Sequence, residues 1–281
     1  MKIKSKIKII KQNFFRPKRI YDLFMSSYFD KKIECLINLE CGIKFKLFLP
    51  EYKELYNGND FEKDVKAFMF FVLKKGMCFF DVGANIGFHT LNASKFVEGS
   101  GKVVSFEPIP FTFKVLNENT NHLKNVDLVN MAVNDGSHSS IDLKFYGPGF
   151  TGMSTSGFPR YASSNKIKLP QPETFTVQTI SIDQYVKEAG ISPDLIKIDI
   201  EGGEMDALKG ACNVISEFKP AIIFEGGDNE RTEINNTESC INYLQKHKYE
   251  IFEYDFTKSK IIKFIPKDIY NENINYLCLP S

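Results

Sequence analysis

From residue 77 onward, short apolar runs alternate with segments whose apolar residues recur every three or four positions. MCFFDV, KVVSFE, VDLVNMAV, DLIKIDI, AIIFE and YEIFEYD have the length and the β-branched or aromatic content of strands. Helical spacing falls between them, from about Gly87, over Phe111 to Leu123, around Met205 to Phe218 and around Thr237 to His247. This alternation predicts an α/β fold with a doubly wound, mostly parallel sheet of six or seven strands, helices on both faces and INYLCLP as the last strand. Ahead of it, IECLINLECGIKFKLFLP at 33 to 50 predicts a β-hairpin turning at Cys41 and Gly42. Asp60 is placed to cap a helix carrying Phe61, Val65, Phe68, Phe71 and Val72, with Gly76 as its stop.

The alternation is interrupted once, by strand-like IDLKFY, a stretch rich in Gly, Ser, Thr and Pro from 147 to 173, and strand-like TFTVQTI. So long an irregular stretch inside a domain predicts a lid or binding loop, with Tyr146, Phe150, Phe158, Arg160 and Tyr161 as an acceptor cover. Ser181 and Gln184 then form a capping box for the next helix. The chain divides into a basic segment 1–21, an extension 22–76 and a main domain 77–281.

Of the 281 residues 43% are hydrophobic and 25% charged, and no apolar run approaches the roughly 20 residues a membrane-spanning helix needs. Net charge is +1, yet the first 21 residues hold eight Lys or Arg and no acid, leaving about −7 for the remainder. Such a head is either a solvated tail or a peripheral contact for anionic lipid at an inner membrane face. Lysines interrupt it throughout, unlike the apolar stretch of a signal peptide. Six scattered cysteines without a CxxC pair suggest reduced thiols and a cytoplasmic protein.

The strongest chemical signal is Phe80-Asp81-Val82-Gly83-Ala84-Asn85-Ile86-Gly87, a strand running through a glycine turn into a helix. Gly83 and Gly87 would let backbone approach a ligand, and Asn85 tolerates a left-handed conformation. A dinucleotide site prefers GxGxxG and a helix N-terminus aimed at pyrophosphate, whereas the acid Asp81 here suits a cation, favouring S-adenosylmethionine as cofactor. Glu107 ends the next strand, 26 positions after Asp81, where an acid meets the hydroxyls of a ribose. Asn130, Ala132 and Asp135 follow the third strand, at the expected adenine position. Asp199, Glu201 and Glu204 crowd the end of a central strand, and Glu225 ends the neighbouring one. Asp199, Glu201 and Glu225 are read either as general bases or, for Asp199 and Glu225, as ligands of a divalent metal that acidifies a hydroxyl, while Glu204 also suits the start of a helix. His89 falls in the first helix after the glycine turn, where it could face the cleft, though surface or packing roles suit all four histidines better.

Three blocks, FFDVGANIGFHT at 79–90, VVSFEP at 103–108 and IKIDIEGGEMDALKG at 196–210, together resemble the FkbM-type methyltransferase family. The resemblance covers about 77–224 and does not extend to the first 60 residues. It implies a class I methyltransferase fold, S-adenosylmethionine as donor and O-methylation of sugars or polyketide-like products. By motif, Asp81, Gly83 and Asn85 would then line the methionine end, Glu107 the ribose, and Asp199 with Glu201 the reaction centre. An NAD-linked oxidoreductase and a non-catalytic scaffold acting through the basic head are the competing readings. No basic face outside the head suggests nucleic acid.

Overall fold

The computed structural model describes residues 33–39, 43–58, 60–156, 169–227, 236–266 and 274–281. The basic head, Cys41 and Gly42 of the expected turn, and Phe158, Arg160 and Tyr161 lie outside these residues. β1 (Ile33–Asn38) and β2 (Lys44–Leu49) form the expected antiparallel hairpin, with Cys35 opposite Leu47. Phe45, Leu47 and Leu49 are fully buried, in one hydrophobic cluster with Ile86, Phe88, Leu91 and Val115, so the extension shares a core with the glycine turn. α1 (Lys53–Asn57) and α2 (Lys63–Val72) follow. Asp60 does not cap α2; the residue before the helix is Glu62, in a left-handed conformation with φ 44° and its carboxylate bonded to His89 instead.

β3 (Cys78–Val82), α3 (Phe88–Val97), β4 (Lys102–Phe106), α4 (Pro110–Thr120) and β5 (Val126–Val129) make the first half of the sheet, all three strands parallel. The run VDLVNMAV is not one strand: it breaks at Asn130, and β6 (Ala132–Val133) joins β7 (Ser140–Phe145) and β8 (Glu173–Ile180) in a separate three-stranded sheet. Ser181 caps α5 (Ile182–Ala189) by accepting from the Gln184 amide, but the Gln184 side chain donates to Glu188, so only half of the box forms.

β9 (Leu195–Ile198) leads to α6 (Glu204–Lys209) and α7 (Cys212–Glu217), where one helix was expected. They part at Gly210, whose Cα approaches the Asn134 carbonyl so closely that a Cβ would stand 2.1 Å from it. Asp183 supports the break by accepting from the amides of Asn213 and Val214. β10 (Ala221–Gly226), α8 (Asn236–Lys246), β11 (Tyr249–Asp255), β12 (Lys260–Lys263) and β13 (Ile274–Pro280) complete the chain.

The main sheet has eight strands in the order β12-β11-β13-β10-β9-β3-β4-β5. It exceeds the expected count because β12 folds back on β11. β10, β9, β3, β4 and β5 run parallel through the centre, and β13, β11 and β12 each pair antiparallel with their neighbours. Alternation sends Phe80, Val104, Ile196 and Ile222 to one core and Phe79, Val103, Leu195 and Ile223 to the other, the two-sided burial that makes central strands apolar throughout. Among the described residues no helix is long and apolar enough to cross a membrane. Cys35, Cys78, Cys240 and Cys278 are buried and unbridged, and burial pushes the Cys78 thiol up to about 12.

Candidate active site

β3 has β4 on one side and β9 on the other, so the chain reverses direction across the sheet at β3, and a crevice opens beyond its carboxyl end. A cavity of about 920 Å³ occupies this crevice. Its floor is the turn from Gly83 to Ile86; Glu107 and Met131 to Val133 form one side, and Lys197, Asp199, Glu201 and Glu225 the other. The roof comes from two places: residues 50–52 and 60–64 of the extension, and residues 149–154 of the irregular loop.

The glycines of the turn do a different job from the one expected. A Cβ on Gly83 would stand 1.9 Å from the Asp199 carbonyl oxygen, and one on Gly87 would stand 2.7 Å from Leu116 of α4. Their bare Cα atoms therefore admit protein, not ligand. Both have positive φ, and Asn85 is left-handed at φ 50°. Four amides of the turn are used within the protein: Gly83 and Ala84 donate to the Phe106 carbonyl, Gly87 to Ala84, and Asn85 to Glu107 Oε2 at 3.1 Å.

Glu107 is 6% exposed, with Oε1 accepting from the Ile109 amide at 2.9 Å. Burial pushes its pKa from 4.5 to about 7, against the lowering effect of the two amides. Asn130 does not line the cavity; its side chain donates to the carbonyls of Glu107 and Pro108 and so holds the backbone beneath the carboxylate. Ala132 lines the cavity beside Met131 and Val133, an apolar slot. Asp135 lies outside it, on an exposed turn, accepting from the Ser137 amide.

Asp81 is likewise not part of the lining. It is fully buried beneath the turn, where Oδ2 accepts from Thr90 at 2.7 Å and Oδ1 faces the Lys197 ammonium at 3.9 Å. Lys197, 2% exposed, donates to Asp199 Oδ2 at 3.0 Å. Burial alone would raise the Asp199 pKa, but the charge and hydrogen bond of Lys197, and a further hydrogen bond from Glu225, hold it below the ordinary carboxylate value. Asp199 and Glu225 thus meet a lysine cation and each other. A divalent ion at that pair would have to displace Lys197 or sit against its like charge, so these residues do not fit a metal.

Glu204 is a structural residue: fully buried, it accepts from the amides of Ile200 and Gly202 and from the Asn236 side chain at 2.7 Å. It braces the turn in which Glu201, at φ 53°, faces the cavity.

Two cavity-lining side chains, Glu51 and Glu62, carried no signal of their own in the sequence, and a third, His89, only its place after the glycine turn. Glu51 accepts from the Thr151 amide and hydroxyl, the Gly152 amide at 2.6 Å and the Asn85 side chain. One carboxylate thereby ties the 3₁₀ turn Thr151–Met153 to the glycine turn. Burial raises its pKa even against these four donors. In Glu51→Gln an amide N–H must oppose a backbone N–H, at a cost of about 1.5–3 kcal/mol per charge-assisted bond lost. Hydrogen exchange at Thr151 and Gly152 is expected to quicken roughly 10- to 100-fold; unchanged exchange would refute the clamp. His89 is 6% exposed and, contrary to a surface or packing role, lines the cavity with Nε2 bonded to Glu62. An acid immediately before a helix is too common a pattern to have marked Glu62.

The family described as Methyltransferase FkbM domain matches residues 81–251, more than half of the chain. The protein belongs to the FkbM methyltransferase family. Within this family setting, the hexuronic acid methyltransferase AglP of Haloferax volcanii is 28% identical over 186 residues, 65% of this chain and 70% of that protein. Among solved structures, an FkbM methyltransferase of Methylobacillus flagellatus shares 18% identity at a TM-score of 0.44 over 72% of this chain. The present FkbM chain spans 43% of that one's length. An O-methyltransferase of Thermotoga maritima shares 13% identity at a TM-score of 0.45, over 91% of this chain and 81% of its own. The FkbM match begins at Asp81, so the cavity roof supplied by residues 50–64 falls outside it.

Proposed function

We propose that the protein transfers the methyl group of S-adenosylmethionine to a hydroxyl of a sugar or glycan. The observation that carries this reading is Glu107: a buried carboxylate at the end of β4, beside a turn in which the amides of Gly83, Ala84, Asn85 and Gly87 are bonded within the protein. A dinucleotide's pyrophosphate needs free amides at that turn. A carboxylate can instead accept from both vicinal hydroxyls of a ribose. Eight acidic residues line the cavity against two lysines, a balance that repels phosphate and suits a donor bearing a sulfonium and an ammonium. Asn85 Oδ1 is buried without a hydrogen-bond partner, and so fits an ammonium donor. The donor, when bound, supplies an electrophilic methyl carbon. Met131, Ala132 and Val133 would pack against its base, and Asp199, Glu201 and Glu225 would orient the hydroxyls of the acceptor. Tyr52, Phe61 and Phe88 offer aromatic faces to the apolar side of a sugar ring. Holding the two reactants in line is the larger part of catalysis here, since well-oriented intramolecular reactions gain about 7–11 kcal/mol.

The similarity to a hexuronic acid methyltransferase supports the acceptor class. Calorimetry should show binding of S-adenosylhomocysteine and none of NAD. Incubation with S-adenosylmethionine and methyl glycosides of hexoses and hexuronic acids should then give O-methylated products by mass spectrometry. Binding of NAD in place of S-adenosylhomocysteine would overturn the reading.

A further inference from the structure

His89 lies in the first turn of α3, and its two ring nitrogens have different fates. Nε2 is bonded to the Glu62 carboxylate, whereas Nδ1 is buried and makes no hydrogen bond. An ionised carboxylate only accepts, so the contact fixes the neutral ring as the Nε2–H tautomer and leaves a lone pair on Nδ1. Both residues line the cavity. Glu62 reaches the ring only because its backbone takes the left-handed conformation at φ 44°, uncommon for a glutamate, before α2 begins. Asp199, one of the acids on the facing side of the cavity, is paired with Lys197 at 3.0 Å and is a poor proton acceptor while so paired. A carboxylate behind an imidazole whose second nitrogen is unbonded is the arrangement that takes a proton from a hydroxyl nucleophile.

We propose that His89 Nδ1 accepts the proton of the sugar hydroxyl and that Glu62 is the positioning residue that holds its tautomer. The active site is then completed by the extension, from outside the matched domain. This rests on the O-methyltransferase reading. As the hydroxyl proton passes to Nδ1, the oxygen forms its bond to the methyl carbon, and the sulfur–carbon bond breaks with its electron pair left on sulfur. Glu62 stabilises the imidazolium until the proton leaves to solvent.

The tautomer can be read without any variant, from long-range ¹H–¹⁵N correlations of the His89 ring in the full chain with S-adenosylhomocysteine bound. A proton on Nε2 and none on Nδ1 is expected; a proton on Nδ1 overturns the proposal. With the methyl glycoside that the wild type methylates, His89→Gln should lower kcat at least 100-fold, and Glu62→Gln about 10- to 100-fold, with S-adenosylhomocysteine affinity within threefold of wild type. Retention of kcat within threefold by His89→Gln overturns the proposal, as does a tenfold or greater loss of S-adenosylhomocysteine affinity, which would make His89 a ligand of the donor's methionine end. If the wild type methylates no glycoside, the acceptor class fails, and the tautomer alone decides the dyad.

Discussion

Lys197→Met should lower the stability of the folded protein by about 3–5 kcal/mol, because removing one member of a buried charge cluster leaves the others without a counter-ion. The lysine stands between Asp81 and Asp199, all three beneath or beside the cavity. Burial disfavours its charge, but the two acids outweigh that and hold its pKa above the ordinary 10.5. The sign follows for both partners. A raised lysine contributes fully below its unfolded value near 10.5, and the lowered Asp199 contributes above its unfolded value near 3.8, so the difference between wild type and variant is largest between those limits. Urea denaturation at pH 7.5 and at pH 3 measures it: the gap should shrink in acid. A loss under about 1 kcal/mol at pH 7.5 would show that the cluster is solvated and the burial misjudged. Adding Asp81→Asn to the variant should recover part of the loss.

Glu107→Gln should weaken S-adenosylhomocysteine binding about 100-fold, the equivalent of one or two hydrogen bonds to a charged group. The same carboxylate makes binding pH-dependent. Its pKa is about 7 in the ligand-free protein, and the ionised form accepts both ribose hydroxyls, so affinity should fall about tenfold per pH unit below 7 and level off above it. Stability runs the other way. A carboxyl raised from 4.5 to about 7 contributes fully below 4.5 and loses that contribution as pH rises through 7, on the order of 3 kcal/mol in total. The ligand-free variant should therefore lack this loss, and titration calorimetry across pH 5.5–8.5 should show a flat profile for it. A wild-type affinity that does not change across this range would place the ribose elsewhere.

The centre of this fold was legible because parallel strands covered on both faces must be largely apolar, as CFFDV and LIKI are apart from Asp81 and Lys197. The acids that end those strands were legible for the same reason: a carboxylate breaking an apolar run needs a purpose. What each acid meets was not. Asp81 and Glu107 both stand near the ends of neighbouring strands, yet Asp81, opposite Ser105, turns under the glycine loop to Thr90 and Lys197, while Glu107, just past Phe106, stays at the cavity. That choice depends on Lys197 on the neighbouring strand β9, the direct partner of Asp81 across the sheet. The two glycines misled in a related way, because a bare Cα signals close approach without naming the visitor, here the Asp199 carbonyl and Leu116. Glu51 and Glu62 were invisible for a third reason: they act through the irregular loop and α3, contacts that no local pattern around 50–64 encodes.

Glu51 binds the Thr151–Gly152 backbone and the Asn85 side chain with one carboxylate, and the Asn85 amide in turn rests on Glu107. A ligand that draws Asn85 toward itself must therefore alter the grip on the loop, and the loop's closure must alter Asn85 by the same free energy. On the proposed reading, donor and acceptor occupancy would then be linked reciprocally, each changing the other's affinity by the same factor.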